Sequence, residues 1–311
     1  MSTQQSQSLK GDGYIKNSRC GYIAIVGRPN VGKSTLLNHL LNKKISITSR
    51  KPQTTRHRIL GIKTINEDQY IYVDTPGLHP SEKKALNRYM NRVVRQVLPD
   101  VDVIIFMVDA RVWREQDSWV LEHLQSISKP VILVINKVDR LKDRQQLLPY
   151  LEKVEKLFNF VEIVPISAKN GLQISELEAA IAKYLPKNPH FFLESQITDR
   201  PDQFIMAERI REKLMRLLGE EIPYALTVTI DALSVEENII RVAAIIWVEK
   251  MSQKGIVIGK QGNLLKRVGQ EARLELERYF DKKIFLQLWV KVKNDWSDSE
   301  ALLHRFGYGE E

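Results

Sequence analysis

The stretch GRPNVGKS, residues 27–34, decides the fold of the first half of the chain. It fits the pattern G-x-x-x-x-G-K-S, follows the apolar run YIAIV and precedes a helix-like run. Backbone N–H groups at a helix start bind anions, and glycine lets that backbone approach phosphate groups closely. This first glycine loop therefore predicts a strand, a phosphate-binding turn and a helix within an α/β sheet.

Further apolar runs follow this loop and alternate with helical patterns. The runs YIYVD, VDVIIFMVD, PVILVIN and VEIVPIS are separated by stretches such as DSWVLEHLQSI and LPYLEKVEKLF. That alternation predicts βαβ units and a mostly parallel sheet. Four of the strand candidates end at Gly27, Asp74, Asp109 and Asn136. Ligands bind at the carboxyl ends of strands in such sheets, so we expect the site there.

The composition bounds the class of protein. The 311 residues are enough for two domains, and 43% hydrophobic content is ordinary for a globular chain. The net charge of +9 favours a polyanionic partner, either a nucleic acid or a membrane surface. Cys20 is the only cysteine, which fits a reducing compartment, so we expect a cytoplasmic location. The N-terminus lacks a signal-peptide pattern, and the apolar runs are too short to span a bilayer.

The pattern divides the chain into four segments. We expect a mobile tail at residues 1–19, a nucleotide-binding α/β domain at 20–188, a linker at 189–203 and a second domain at 204–311. The second domain reads as α-β-β-α-α-β, with its least regular helix near residues 250–257.

The phosphate and metal residues follow from the first loop and from DTPG, residues 74–77. Lys33 is expected to reach the β- and γ-phosphates, and the Ser34 hydroxyl and Asp74 are expected to hold Mg²⁺, Asp74 through water. The Gly77 amide can reach the γ-phosphate. The predicted phosphate-binding set is Gly27, Asn30, Val31, Gly32, Lys33, Ser34, Thr35 and Gly77.

Two further short motifs select the base. In NKVD, residues 136–139, the Asp139 carboxylate can accept from both the N1–H and the exocyclic amine of guanine. Adenine offers neither donor there, so the site rejects ATP by leaving polar groups unpaired. In SAK, residues 167–169, the Ala168 amide can donate to guanine O6. The predicted guanine-binding set is Asn136, Lys137, Asp139, Ser167, Ala168 and Lys169.

A second glycine loop, GKQG at residues 259–262, lies between two predicted helices. Residues 195–311 as a whole carry 18 Lys and Arg against 19 Asp and Glu, yet residues 250–293 carry 11 against 4. A helix–GxxG–helix unit beside a three-stranded sheet is typical of a KH domain, whose loop clamps a nucleic-acid backbone. Trp247, Trp289 and Trp296 stay unassigned, because base stacking and core packing both fit them.

On these motifs, residues 20–185 resemble a Ras-like, translation-factor-type GTPase domain. The whole chain, second glycine loop included, resembles the Era family of bacterial ribosome-assembly GTPases. The resemblance implies an α/β P-loop GTPase domain with a mostly parallel sheet, followed by an α+β KH domain of type II. It also implies GTP hydrolysis to GDP with Mg²⁺, binding of 16S rRNA near its 3′ end, and action on the 30S ribosomal subunit.

The resemblance also assigns the switch segments. The effector stretch KPQTTRHR matches residues 51–58, with Thr54 or Thr55 completing the Mg²⁺ shell and Thr55 preferred. Ras carries a water-orienting glutamine where this chain has Leu78, so we expect slow intrinsic hydrolysis, with the water held by backbone or by another residue. Asn30 stands where related GTPases use an asparagine to bind K⁺, so K⁺ is a candidate cofactor. Switch I is Gln53, Thr54, Thr55, Arg56 and His57, and switch II is Asp74, Thr75, Pro76, Gly77 and Leu78.

The expected RNA-binding residues are Gly259, Lys260, Gln261, Gly262, Lys266 and Arg267. The alternative hypothesis keeps the GTPase but makes it a membrane-surface or signalling switch whose KH unit binds a protein. We further expect a monomer, with weak peripheral contact at the inner face of the cell membrane.

Overall fold

The computed structural model describes residues 18–78, 82–143, 145, 147–219 and 221–309. The predicted tail therefore lies outside the described residues, apart from its last two positions. Ser18 is buried and its hydroxyl donates to the Asn188 carbonyl at 2.9 Å, while Arg19 forms an isolated bridge with Lys187. These two residues pack against the first domain.

The first sheet has the strand order β2-β3-β1-β4-β5-β6 within the described part of the chain. All neighbouring pairs are parallel except β2 and β3, which are antiparallel. The strands are β1 (Cys20–Val26), β2 (Ile59–Ile65), β3 (Asp68–Asp74), β4 (Val103–Asp109), β5 (Val131–Asn136) and β6 (Glu162–Ile166). The helices that cover its two faces are α1 (Lys33–Leu40), α2 (Ala85–Asp100), α3 (Glu115–Leu124), α4 (Leu147–Val154) and α5 (Ile174–Ala182). The mostly parallel sheet is thus confirmed.

The sequence reading did not anticipate strand β2. Its stretch ILGIKTI contains an internal glycine and directly follows the effector segment, and both features weaken a strand pattern. The structure pairs Ile59 with Asp74 and Ile65 with Asp68, so β2 closes one edge of the sheet. This pairing fixes where the effector segment ends, beside the carboxyl end of β3.

The second sheet has the order β7-β8-β9, with β8 antiparallel to β7 and parallel to β9. Its elements follow the predicted order α-β-β-α-α-β, and one short helix comes after them. They are α6 (Asp202–Leu217), β7 (Leu226–Val235), β8 (Ile239–Val248), α7 (Met251–Ile258), α8 (Asn263–Phe280), β9 (Lys283–Val292) and α9 (Glu300–Arg305). The α7–loop–α8 unit packs on one face of this sheet through an apolar cluster.

The segment between the two sheets lies along the first one. The backbone N–H groups of Phe191 and Phe192 donate to the Gln69 side chain at 2.9 and 3.0 Å. The Ile62 N–H donates to the Ile197 carbonyl at 2.8 Å. The predicted linker at 189–203 is therefore anchored to the first sheet by hydrogen bonds.

The two halves meet through a cluster of paired charges. Lys44, which follows α1, lies 2.5 Å from Glu212 on α6 and 2.6 Å from Glu275 on α8. Arg209 lies 2.5 Å from Glu275, and Lys213 also pairs with it. Burial alone would raise the pKa of Glu275, but hydrogen bonds from Lys213 and Lys44 and the charge of Arg209 lower it to about 2. Glu275 therefore stays ionised near neutral pH. The cluster joins the segment after α1 to helices α6 and α8 of the second half.

Candidate nucleotide and RNA sites

The base-selecting loops and the first glycine loop converge at the carboxyl edge of the first sheet. The Asn136 side chain donates to the Val31 carbonyl at 2.8 Å and accepts from the Ala168 N–H at 2.9 Å. The Ser167 hydroxyl donates to Asp139 at 2.6 Å. Asn136 thus ties the phosphate loop to the SAK loop, and Asp139 is exposed at the opening between them. Lys169 is exposed on the same rim.

The phosphate loop wraps around Lys33. Its ammonium donates to the carbonyls of Gly27 and Arg28 at 3.0 and 3.2 Å, and burial lowers its pKa to about 8. The shallow cleft in front is lined by this loop together with Thr35, Thr55 and Gly77. A polyphosphate placed there would meet the ammonium and the N–H groups at the start of α1.

Three oxygen-bearing side chains meet beside this cleft. The Ser34 hydroxyl lies 2.7 Å from the Thr55 hydroxyl and donates to Asp74 at 2.8 Å. Thr55 is 3.4 Å from the same carboxylate oxygen, whereas the Thr54 hydroxyl turns away to the Lys51 carbonyl at 2.8 Å. The other oxygen of Asp74 is buried without a hydrogen-bond partner. Hydroxyls plus one carboxylate with an unused oxygen fit Mg²⁺, which prefers few protein ligands beside nucleotide phosphates.

Switch II continues from this carboxylate. The Thr75 hydroxyl donates to the Ile25 carbonyl at 2.8 Å, and Gly77 lies against Pro29 of the phosphate loop. Leu78 is 1% exposed and packs in the apolar core. A buried leucine has no group that could orient a water. Residues 79–81, which follow, lie outside the described part of the structure.

Switch I is bound to the second domain through Arg56. The fully buried guanidinium donates to the carbonyls of Pro223, Tyr224 and Leu226 at 2.8–3.2 Å and to the Tyr308 hydroxyl at 3.3 Å. Arg56 is therefore held by four acceptors contributed by the second half of the chain.

Other switch I residues reinforce this attachment. His57 stacks on Tyr308 with ring centroids 4.5 Å apart, and burial followed by nearby arginine charges lowers its pKa well below the usual range. Arg211 on α6 donates to the Thr54 carbonyl, whereas the Gln53 side chain donates to Asn87 on α2 of the first domain at 3.1 Å. The second domain thus holds the segment that carries Thr55, a connection the sequence reading did not contain.

Asp109 at the end of β4 is a second feature absent from the predicted set. It accepts from Arg111 at 2.8–2.9 Å and from Lys137 at 2.9 Å. Burial would raise its pKa, but these two cations lower it well below its usual range. Lys137 also donates to the Asn30 carbonyl at 2.6 Å. In the sequence, the only sign of a role for Asp109 was its position at the end of a strand. In the structure, Asp109 holds Lys137 in place across the phosphate loop.

The second glycine loop is exposed between α7 and α8. Gly259, Gln261 and Gly262 have φ values of 75°, 52° and 76°, so the chain turns sharply and presents its backbone to solvent. Lys260 and Lys266 are exposed, and Arg267 is exposed while paired with Glu271 at 2.8 Å. The loop can approach a phosphate backbone without displacing other structure.

No described helix is long and apolar enough to cross a membrane. Across the described residues, no group of three or more His, Cys, Asp or Glu side chains is placed to hold a metal ion. The candidate Mg²⁺ position has a single carboxylate and does not conflict with that finding.

The fold and these sites define a P-loop GTPase that carries a KH domain. The family model described as 50S ribosome-binding GTPase matches residues 22–137, and the KH domain model matches residues 221–297. GTPase Era of Coxiella burnetii is 59% identical over 296 residues, covering 95% of this chain and all of the relative. GTPase Era of Pseudomonas aeruginosa is 55% identical, covering 94% of this chain and 96% of the relative. The chain belongs to the Era family of GTPases, which hydrolyse GTP.

Solved Era structures superpose over nearly the whole chain. One is Era in complex with MgGDPNP and nucleotides 1506–1542 of 16S ribosomal RNA, with TM-score 0.90 and 42% identity. Another is Aquifex aeolicus Era bound to GDP and AlF₄⁻, with TM-score 0.89 and 42% identity. Each covers 94% of this chain and 100% of the solved chain. The GTPase domain followed by a KH domain is thereby confirmed.

Proposed function

We propose that this GTPase assists maturation of the small ribosomal subunit by binding 16S rRNA near its 3′ end. The observation that carries the proposal is the exposed second glycine loop within the basic stretch 250–293. Support comes from the 42% identical Era whose solved complex holds MgGDPNP and the 16S fragment. The first family model names the 50S subunit, but it covers only residues 22–137 and not the KH domain. We therefore place the action on the 30S subunit, in the cytoplasm.

In this proposal the nucleotide is held by the predicted sets. Lys33 and the α1 N-terminus bind the β- and γ-phosphates, and Asp139 reads guanine. Mg²⁺ is held by Ser34 and Thr55, with Asp74 acting through water, and it supplies charge stabilisation at the phosphates. The 2.7 Å contact between the two hydroxyls and the unused Asp74 oxygen support this set. In this proposal Thr55 joins the ligands of Mg²⁺ only when switch I is attached to the second domain.

K⁺ is proposed as a second cation, next to Asn30. The Asn30 amide nitrogen lies 2.9 Å from the Arg50 carbonyl, so its side chain bridges the phosphate loop and switch I. Asn30 would hold the cation at the phosphate loop, where it would supply positive charge to offset the charge that develops on the phosphates. Because Leu78 is buried and cannot orient the attacking water, hydrolysis would gain from this additional charge.

The switch output follows from the Arg56 attachment. Loss of the γ-phosphate releases the contacts that order switch segments in GTPases. Because Arg56 and Thr54 are bonded to the second domain, movement of switch I must disturb how that domain sits. GTP state and RNA binding are then coupled through one segment. Monomeric behaviour and weak peripheral membrane contact stay predictions.

The test is RNA crosslinking in cells, followed by sequencing of the bound fragments. We expect fragments from the 3′ end of 16S rRNA with the parent, and their loss when Gly259→Asp and Gly262→Asp are combined. Added carboxylates oppose RNA phosphates sterically and electrostatically. Recovery with membranes rather than with small subunits after a salt wash would instead favour the membrane-surface or signalling alternative.

A matched titration separates the two sites in vitro. The double aspartate variant should bind single-stranded RNA at least tenfold more weakly, with a flatter salt dependence, and bind GTP like the parent. Lys33→Ala should do the opposite, losing GTP affinity while its RNA binding persists. If the aspartate variant loses GTP but keeps RNA, the second loop serves the nucleotide and the proposal is wrong.

A further inference from the structure

The outward face of β9 carries a row of cations and aromatic rings. Side chains alternate along a strand, and every outward position here is exposed while the inward ones are buried or half-buried. Phe285 and Trp289 are 45% and 44% exposed, unusually high for such rings. The β9 row is Lys283, Phe285, Gln287, Trp289, Lys291 and, just beyond the strand, Lys293. It contains no acidic residue.

The neighbouring strand extends the same chemistry. Arg241 on β8 is opposite Phe285, and its guanidinium lies 5.6 Å from the ring centroid while also pairing with Glu236 at 2.8 Å. Ile245 is opposite Trp289 and is buried beneath the surface. Residues 239–247 contain no acidic side chain. The β9 row and its neighbour Arg241 thus form an aromatic, positively charged surface.

The row lies next to the second glycine loop. β9 is the outer strand of its sheet, with only β8 beside it among the described strands. Its inward residues Leu286 and Leu288 pack in the same apolar cluster as Leu264 and Leu265, which directly follow the loop. An RNA strand leaving the loop therefore reaches the row by passing around a single strand edge.

The side-chain types favour RNA over a protein as the occupant. Aromatic rings bind bases of any sequence by stacking, and lysines follow the backbone of a single strand. The cores of protein–protein interfaces are depleted in lysine, yet half of the six positions here are lysine. A KH loop clamps about four nucleotides, so a longer RNA needs further surface.

We propose that the β9 row is a second RNA-binding surface, on which bases stack on Phe285 and Trp289 while Lys283, Lys291 and Lys293 meet phosphates. The inference rests on the RNA binding proposed above and adds a surface to it. It predicts that short and long RNAs depend on different residues. The glycine loop serves both lengths, and the row serves only the longer one.

The experiment compares single-stranded RNAs of about five and about fifteen nucleotides that share one five-nucleotide core. Full-length parent and the double variant Phe285→Ala with Trp289→Ala are titrated with each. We expect the long RNA to lose roughly tenfold or more in affinity, since stacking contributes about 1–3 kcal/mol per base. The short RNA and the salt dependence should be unchanged, because no phosphate contact is removed.

Controls separate stacking from folding. Trp289→Phe keeps a ring and should retain most of the affinity, and Val235→Ala, exposed on β7, should change nothing. Unchanged GTP affinity reports an intact fold. Should the double variant be unstable, crosslinking of 5-iodouridine in the long RNA to peptides spanning residues 283–293 of the parent tests the same contact.

The proposal is wrong if the folded double variant binds the long RNA like the parent. It is also wrong if the crosslinks are confined to the glycine loop. Equal losses of affinity for the short and the long RNA would also contradict the proposal, because the β9 row would then be part of the glycine-loop site. Failure of the parent to bind either RNA contradicts the proposed function instead. The two ideas therefore fail by different results.

Discussion

The two glycine loops have similar compositions but opposite surroundings. At Gly32, a Cβ atom would lie 2.3 Å from the Asn136 side-chain nitrogen, and φ is +112°. At Gly262, φ is +76°, yet no atom lies within 4 Å of such a Cβ. At Gly259, the other glycine of the second loop, a Cβ would lie 2.7 Å from the Leu264 Cβ of the helix that follows. The first loop is thus enclosed by other parts of the protein, whereas the second loop faces open space at Gly262.

The difference shows what each glycine is needed for. In the first loop the protein itself fills the space around the backbone, so the phosphate site is built before nucleotide arrives. In the second loop the space beside Gly262 is empty, and only a ligand would use it. A preformed site suits a small, invariant triphosphate, and an open one suits a polymer that approaches from outside.

The largest expected effect is that of Gly32→Ala. The variant relieves the left-handed φ and the clash with Asn136 by moving out of the phosphate-binding geometry, and GTP must restore that geometry at about 4 kcal/mol, roughly a thousandfold in affinity. Gly262→Ala is the matched control, and its φ alone should cost about 1 kcal/mol of stability while GTP binding is unchanged. Titration of a fluorescent GTP analogue measures both. Equal losses in the two variants would abolish the distinction between the loops.

Asp139→Asn tests the base specificity of the enclosed loop system. Removing the acceptor for two guanine donors should cost roughly 2–4 kcal/mol of GTP affinity and raise affinity for xanthosine triphosphate, which carries a carbonyl in place of the amine. Asp143→Asn, an exposed carboxylate nearby, serves as the control. Competition binding with both nucleotides gives the ratio, and unchanged GTP affinity would remove Asp139 from the site.

Glu275→Gln tests the charge cluster that links the segment after α1 to helices α6 and α8. Weakening its pairs with Lys44, Arg209 and Lys213 should cost roughly 1–2 kcal/mol in the free energy of unfolding, measured with urea. Glu271→Gln, which breaks only an exposed pair, should cost about 0.5 kcal/mol or less.

The pH dependence of that link has a defined sign. The pKa of Glu275 is lowered to about 2, so its stabilisation is complete above about 4.5 and is lost as the pH falls towards 2. The stability of Glu275→Gln relative to the parent should therefore improve on acidification across that window. A constant difference from pH 6 to pH 3 would show that the cluster does not act through this charge.

The smallest expected effect concerns the cation at the first loop. GTP hydrolysis should be faster in K⁺ than in Na⁺ at equal ionic strength, by on the order of tenfold, below the 10³–10⁵ of an arginine finger. Asn30→Ala should lose the difference while keeping the Na⁺ rate. The measurement is the single-turnover rate of GTP hydrolysis in each salt. If Asn30→Ala still hydrolyses GTP faster in K⁺ than in Na⁺, Asn30 is not the K⁺ ligand.

The sequence predicted those features that short motifs encode. Strand ends followed by GKS, DTPG, NKVD and SAK located the nucleotide site, because loops at the carboxyl edge of a parallel sheet must converge. The local excess of lysine and arginine located the basic stretch of the KH domain. These are properties of neighbouring residues, and a single chain displays them directly.

Contacts between distant residues could not be predicted in the same way. The acceptors of Arg56 include the carbonyls of Pro223, Tyr224 and Leu226, and backbone oxygen atoms leave no trace in sequence. Strand β2 was hidden by Gly61 and by the effector segment before it. The partners of Asp109 lie 2 and 28 positions away, so only the folded chain reveals the pairing with Lys137.

The contact between Arg56 and Tyr308 also sets an order in time. Tyr308 is added 252 positions after Arg56, which takes about 10–50 s at a synthesis rate of roughly 5–20 residues per second. During that interval the GTPase domain can fold, but the acceptors of this guanidinium do not yet all exist. The newborn enzyme therefore passes through a period with its effector segment only partly attached, since the carbonyls of Pro223, Tyr224 and Leu226 are made well before Tyr308, and the attachment is completed only when Tyr308 is added.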